Sequence, residues 1–342
     1  MTTSQTMSLG EATTGFSARL RAALGRRTEW RAIILLVLVV VGALIFAPTV
    51  FTAYQVTLGF VALIGLIALG LTAVILMGEL DLSVASTLAV SGVVMAMVPN
   101  IFLGVTLALL TGLVIGAVNA FFVVKVGINS FIATLGMLFA LRGLAFVLSD
   151  AEPVPLTDIE AGISFGMPLI GPITPRIVLF VLVFIALHVF VTRVRAGREF
   201  YAVGGNRQAA YDAGIPVSRR LFTGFMISGF VAALAGVINT LELIAADPTA
   251  GSTALLASFA AAIIGGVALT GGRGSIVGTL LGALSLGILG VGLTLAGVQV
   301  DIQQIFIGSV LFIAVITDPA SLRAAAGSVV TFLQSRKSQT AV

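Results

Sequence analysis

The chain has 342 residues, 58% hydrophobic and 9% charged, with 18 Lys and Arg against 14 Asp and Glu. An ordinary soluble domain carries roughly 25% charged residues, so this composition excludes an aqueous globular fold and leaves one membrane-embedded unit. The absence of cysteine excludes disulfides, thiolate catalysis and Cys-based metal sites. The excess of basic residues does not point to nucleic acid, because they sit at the ends of apolar runs rather than in blocks interleaved with aromatics.

Residues 1–31 are polar, with Arg19, Arg21, Arg26, Arg27 and Arg31, and read as a cytoplasmic tail. The apolar stretch that follows is too long for a signal-peptide core. With about 20 apolar residues per crossing, spans are predicted near 32–52, 55–77, 82–99, 101–124, 127–148, 176–193, 221–241, 253–270, 274–296 and 300–317. Residues 318–342 form a second tail. Ten crossings with the N-terminus inside place Lys125, segment 193–220, Arg273, Arg323, Arg336 and Lys337 in the cytoplasm. The same parity places Asp150, Glu152, Asp158 and Glu160 outside, which satisfies the positive-inside rule. Arg142 falls within a span and Arg176 at an outer end. His188, the single histidine, lies in an apolar run and reads as a helix residue with one hydrogen-bonded nitrogen.

The stretch 101–139 resembles 275–313: Gly104 and Gly116 correspond to Gly278 and Gly290, and Phe131-Ile132 to Phe306-Ile307 after a one-residue slip. Spans four and five thus match spans nine and ten, an odd separation, so the two copies run in opposite directions. The predicted fold is all-α: a polytopic membrane protein of about ten transmembrane helices arranged as two inverted five-helix halves, both termini cytoplasmic. Glycines in GLVIGA, GTLLGA and GALSLG read as points of close helix approach.

Three polar segments stand out. In GELDLSVAS (78–86), Glu79 and Asp81 lie between apolar runs, where ionisable groups are costly; Ser83 and the carboxylates either cap the next helix or line the path, and both roles are compatible. RVRAGREFYAVGGNRQAAYDAGIPVSRR (193–220) is the longest polar run between spans and reads as a turn leading into a short surface helix that Gly214 ends. A protein partner explains such an element economically. IIGGVALTGGRGSIVGTLLG (263–282) lacks a GxxxxGK[ST] and reads as a tight cytoplasmic hairpin anchored by Arg273. The acidic loop 150–175 has five prolines and no Lys or Arg before Arg176, as an external segment would.

GELDLSVAS, GAVNAFFVVKVGINSFIATLG, YAVGGNRQAAYDAGI and IIGGVALTGGRGSIVGTLLGA, in this order and spacing, resemble the permease subunit of ribose/xylose/galactose-type bacterial ABC importers over about residues 32–317. The resemblance implies a transport subunit without an ATPase site of its own, and without cofactor, since ATP is used by a partner. It implies a cytoplasmic ABC ATPase, a periplasmic or external solute-binding protein, a second permease copy or paralogue, surrounding lipid, and a bacterial inner membrane. It places Gly204, Gly205, Asn206, Ala209, Ala210 and Gly214 in the segment that couples to the ATPase, and Asp81, Ser83, Asn119, Asn129 and Thr134 along the translocation path. The chain departs from the family pattern at Val291, Ala254, Leu255 and the turn GINS (127–130). A branched-chain amino acid, nucleoside or furanosyl signal molecule is an alternative solute to a pentose or hexose. An ion-coupled carrier using Asp81 or Glu79 is an alternative mechanism. An intramembrane enzyme lacks any assembled triad or metal site.

Overall fold

The structure is a computed structural model and describes residues 29–316; all but the last three residues of the tail expected at 1–31, and the whole of that at 318–342, lie outside the described residues. Helices account for most of it. They are α1 (Trp30–Phe46), the single turn α2 (Thr49–Thr52), α3 (Tyr54–Ile75), α4 (Val84–Ala96), α5 (Ile101–Phe121) with a π turn Phe122–Val126, and α6 (Ser130–Leu148). There follow α7 (Ile159–Gly166), α8 (Pro175–Arg193), α9 (Arg195–Gly205), α10 (Arg207–Asp212), α11 (Val217–Leu243), α12 (Ser252–Ile264), α13 (Ile276–Leu295) and α14 (Val300–Ile316). Strands β1 (Val154–Pro155) and β2 (Ala245–Ala246) pair antiparallel.

Among the described residues, α3, α5 with its π turn, α6, α8, α11 and α13 are long and apolar enough to cross a membrane, and α1, α4, α12 and α14 are shorter apolar helices. The chain is therefore a polytopic α-helical membrane protein. Since lipid is as apolar as these side chains, close packing rather than hydrophobicity decides which helices lie inside. α3 and α11 form the centre: they pack on each other, α3 also on α12 and α13, and α11 also on α4 and α5. Glycines make the closest crossing possible, since a Cβ added to Gly112 of α5 would lie 2.3 Å from the Gly229 carbonyl oxygen of α11. The GLVIGA glycines thus act in packing, as do Gly278 and Gly282 of α13 against α12.

The runs expected to cross at 82–99 and 253–270 contain helices of 13 residues each. Such a helix is about 20 Å long, short of the roughly 30 Å hydrocarbon layer. The remainder of each run is apolar in composition but not helical. α4 begins beside the turn at 268–273 that follows α12, through the close contact of Gly78 with Thr270 and Gly271. At the far end of α4, Val93 and Ala96 pack with Ala246, just before α12. The two short helices therefore run in opposite directions. α6 lies on α4 as α14 lies on α12.

The 150–175 loop folds back on the end of the bundle opposite that turn: β1 joins β2, and Leu156 N donates to Ile244 O at 2.9 Å. Asp158 caps α7 by accepting from Ala161 N at 2.9 Å. At the same end Arg176 forms an ion pair with Glu242 and donates to Gln55 O. His188 lies within α8 as expected; its Nδ1 is buried without a hydrogen-bond partner and its ring stacks on Phe184, centroids 6.0 Å apart.

Candidate functional site

The backbone between α3 and α4 is broken at Gly78–Ser83 within a bundle where each unpaired amide costs several kcal/mol. Its polar groups are met from α6: Leu80 N donates to Ser130 Oγ and Leu82 N to Thr134 Oγ1, both at 3.1 Å. Asp81 sits at the turn, 0% exposed, and faces inward. Its Oδ1 accepts from Ser83 N at 3.1 Å, from Ser83 Oγ at 2.6 Å and from Asn119 Nδ2 of α5 at 3.4 Å. Its Oδ2 accepts from Ser228 Oγ of α11 at 2.8 Å. Asn119 Nδ2 also donates to Ser83 Oγ at 2.7 Å, and its Oδ1 is buried without a partner. One carboxyl group thus ties three elements together, its two oxygens met by four donors.

Of the five path residues expected from sequence, Asp81, Ser83, Asn119 and Thr134 converge here, all 0% exposed. Asn129 stands apart: it is exposed and caps α6 by accepting from Phe131 N at 3.0 Å. Ser83 is the residue before α4, yet its side chain does not cap the helix; it bonds Asp81 instead.

The break is joined to the polar segment 193–220. Gly204, in the last turn of α9, lies so close to Leu76 that an added Cβ would be 2.0 Å from its carbonyl oxygen and 2.5 Å from Gly272 N. Gly272 N in turn donates to Leu76 O at 2.9 Å. Gly271 and Gly272 have φ of +80° and +72°, a region open to glycine, and pack on Gly78 and Gly205. Three chain segments meet there backbone to backbone. Just beyond, buried Glu79 pairs with Arg207 of α10. Asn206 caps α10 by accepting from Ala209 N at 2.9 Å, and Gly214 (φ +76°) ends it. The expected turn and short helix are both present; α9 before them is an additional helix. Ala210 is buried, whereas Gly205, Asn206, Arg207, Gln208, Ala209 and Tyr211 are exposed.

The family described as "Branched-chain amino acid transport system / permease component" matches residues 53–315. The ribose import permease of Escherichia coli K12 is 40% identical over 262 residues, 74% of this chain and 81% of that protein. That of Bacillus subtilis 168 is 39% identical over 263 residues, 75% and 82% of the two chains. The chain belongs to this permease family. The L-arabinose ABC transporter permease of Azospirillum brasilense is 36% identical over 267 residues, 75% of the permease described here and 77% of its own length. No solved structure matches.

Four features of the structure are absent from the sequence reading. Ser228 lies in an apolar helix with nothing to mark it, and Arg207 pairs across 128 positions with Glu79. Tyr211 is an aromatic 68% exposed on a polar surface helix, a combination visible in the sequence once α10 is placed. α9 is also anchored by Glu199, buried, which accepts from Arg220 Nε at 2.5 Å and Arg195 Nε at 2.8 Å.

The hydrogen bond from Arg220 holds the Glu199 carboxyl below the usual carboxylate range, against an opposing effect of burial and with help from Arg195. A folded-state pKa below the unfolded value of about 4.3 stabilises the folded form above that pH. The contribution is lost as pH falls from there through the depressed value. Melting curves of the purified permease between about pH 6 and pH 3 are expected to fall less steeply with acid for Glu199→Gln. Equal slopes for the two proteins would show that this carboxylate does not anchor α9.

Proposed function

We propose that this permease is the membrane-spanning subunit of an ATP-binding-cassette importer that carries a monosaccharide of the pentose or hexose kind into the cell. The carrying observation is the junction of Leu76–Glu79, Gly204–Arg207 and Gly271–Gly272, which connects an exposed helix to a polar break inside the bundle. An ATPase bound to α10 would thereby act on the break directly, with ATP used by that partner and no cofactor held by this chain. The exposed face formed by Gly205, Asn206, Ala209 and Tyr211 is the coupling surface, with buried Ala210, half-buried Gly204 and the end glycine Gly214 shaping it. The pattern of charges supports cytoplasmic termini and an inner-membrane location with α9 and α10 inside.

The opposed directions of α4 and α12, and their matched packing on α11 and α3, support a reading of the transmembrane domain (32–317) as two inverted halves with about ten crossings. Sugar is favoured as the solute because the ribose and arabinose permeases, and a D-allose transport permease of Escherichia coli K12 at 37% identity over 258 residues, are all named for sugars. An external binding protein would deliver it, and a second permease copy or paralogue would complete the path.

The test is co-expression with a cytoplasmic ATPase of this importer class and recovery of both from detergent, followed by uptake of ribose, allose and arabinose in cells supplied with a binding protein. Gly205→Arg and Ala209→Glu, both at exposed positions, are expected to abolish co-purification while the variants remain folded. Uptake that persists without the ATPase and collapses with a protonophore would replace this reading by an ion-coupled carrier.

A further inference from the structure

The polar groups of α6 recur every four residues, at 130, 134, 138 and 142, and so lie along one face of the helix. Ser130 and Thr134 hold the amides of Leu80 and Leu82, and the Leu138 carbonyl accepts from Ser86 Oγ at 2.7 Å. The last member, Arg142, reaches the other short helix. Its Nη1 donates to Pro248 O and, at 3.1 Å, to Ala250 O, in the turn that precedes α12. Twelve residues separate Ser130 from Arg142, about 18 Å along the helix axis.

The two turns that α6 grips have the same construction. In one, Asp81 Oδ1 accepts from the backbone N and the hydroxyl of Ser83; in the other, Asp247 Oδ1 accepts from the N and the hydroxyl of Thr249, both at 2.7 Å. Each lies before a 13-residue helix, and the two helices run in opposite directions. An arginine inside an apolar helix is costly to place and is retained where it bonds protein groups that nothing else satisfies. Arg142 bonds the carbonyls of Pro248, which is buried, and of Ala250, which is half-buried, in a turn whose Thr249 is exposed.

We infer that Arg142 is a positioning residue that fastens the 247–250 turn to α6, so that a shift of the 79–83 break driven from α9 and α10 is carried along α6 to the opposite end of the bundle. The inference rests on the reading of this chain as an ATP-driven permease. α6 is then a rod held at both ends, and displacement at one turn moves the other because packed elements shift as units.

The chain has no cysteine, so a single Ser252→Cys at the exposed start of α12 reports on the outer turn. The assembled importer in lipid nanodiscs would be labelled with a bulky maleimide, with and without vanadate-trapped ATP. The reporter chain is expected to change labelling rate on trapping. Added Arg142→Ala removes that change and sugar uptake, while the ATPase still binds and hydrolyses ATP. Arg142→Lys restores part of both, because an ammonium also donates to two carbonyls. A reporter whose nucleotide dependence survives Arg142→Ala overturns the inference, as does a reporter that never responds. Loss of the assembled complex with both variants alike does so too, since that would make Arg142 a fold determinant only. Uptake by the unaltered chain in parallel separates these outcomes from failure of the permease reading itself.

Discussion

Asp81→Ala is expected to abolish uptake and to lower the stability of the permease by several kcal/mol. The substitution removes the acceptor for Ser83 N, Ser83 Oγ, Asn119 Nδ2 and Ser228 Oγ in a place with no exposed surface. Each buried donor left unpaired costs about 1–3 kcal/mol. The hydroxyls of Ser83 and Ser228 can turn to backbone carbonyls of their own helices and recover part of this. The net loss is then several kcal/mol, from donors left without an acceptor in a buried place. Asp81→Asn divides the effect. It keeps the shape and one acceptor but sets an NH2 either against Ser83 N, Ser83 Oγ and Asn119 Nδ2 or toward the Ser228 hydroxyl, so it is expected to fall between the native protein and the alanine variant. Thermal unfolding in detergent, with uptake measured in parallel, checks both. An alanine variant that melts within about 0.5 kcal/mol of native, as ordinary surface changes do, would mean that the four donors have other acceptors and that the break is not held by Asp81.

Hydropathy made the bundle legible, and it overstated the two short helices for a physical reason. Residues 265–270, including Gly265, Val267 and Leu269, are as apolar as a span, yet their backbone turns because Gly266 and Gly271 adopt positive φ and because neighbours supply the missing hydrogen bonds. Gly272 N finds Leu76 O, and Ala268 N finds Arg273 O. A hydropathy window registers side chains and is blind to who satisfies the main chain. The same blindness hides Ser228, one hydroxyl among apolar residues, whose meaning depends on a carboxylate 147 positions away. Asp81 and Ser83 were readable because ionisable groups between apolar runs are expensive and therefore informative, whereas Asn119, Asn129 and Thr134 entered only through the resemblance to a permease family. Of these three, Asn129 is exposed and serves a local cap. In segment 193–220 the pattern GGN followed by AAYDAG correctly marks α10, since Asn206 and Gly214 are good boundary residues at its two ends. α9 escaped notice because its interior carries the glycine Gly197, which meets the Phe190 carbonyl oxygen so closely that a Cβ there would lie 2.1 Å from it. That glycine allows α9 to fold tightly back against α8, and it reads in sequence as a helix breaker.

Gly204→Ala is expected to eliminate uptake, while Gly205→Ala, one residue away, leaves it unchanged. The two glycines differ in what surrounds them. A methyl at Gly204 would lie 2.0 Å from Leu76 O and 2.5 Å from Gly272 N, all of it backbone that cannot rotate aside, whereas a methyl at Gly205 meets nothing within 4 Å. To restore ordinary contact at Gly204 the end of α9 must lift by more than an ångström, which opens the Gly272 N to Leu76 O bond or displaces the Glu79–Arg207 pair. Overpacking of this kind costs about 1–3 kcal/mol where side chains can yield and more where they cannot. The loss is borne where α9 meets the bundle, so α3, α11 and α13 remain packed and the variant still inserts and folds. α10 keeps its own cap and its exposed face, so an ATPase still finds its surface. What fails is transmission: the partner's movement is spent in a loosened joint instead of reaching the 79–83 break. Co-purification of the ATPase, ATP hydrolysis and uptake, measured together, resolve this. Retained binding and hydrolysis with uptake lost places the coupling in the backbone contact at Gly204. Uptake by Gly204→Ala equal to that of Gly205→Ala would show that the joint is loose enough to absorb a methyl and that force reaches the break by way of Arg207 and Glu79 alone.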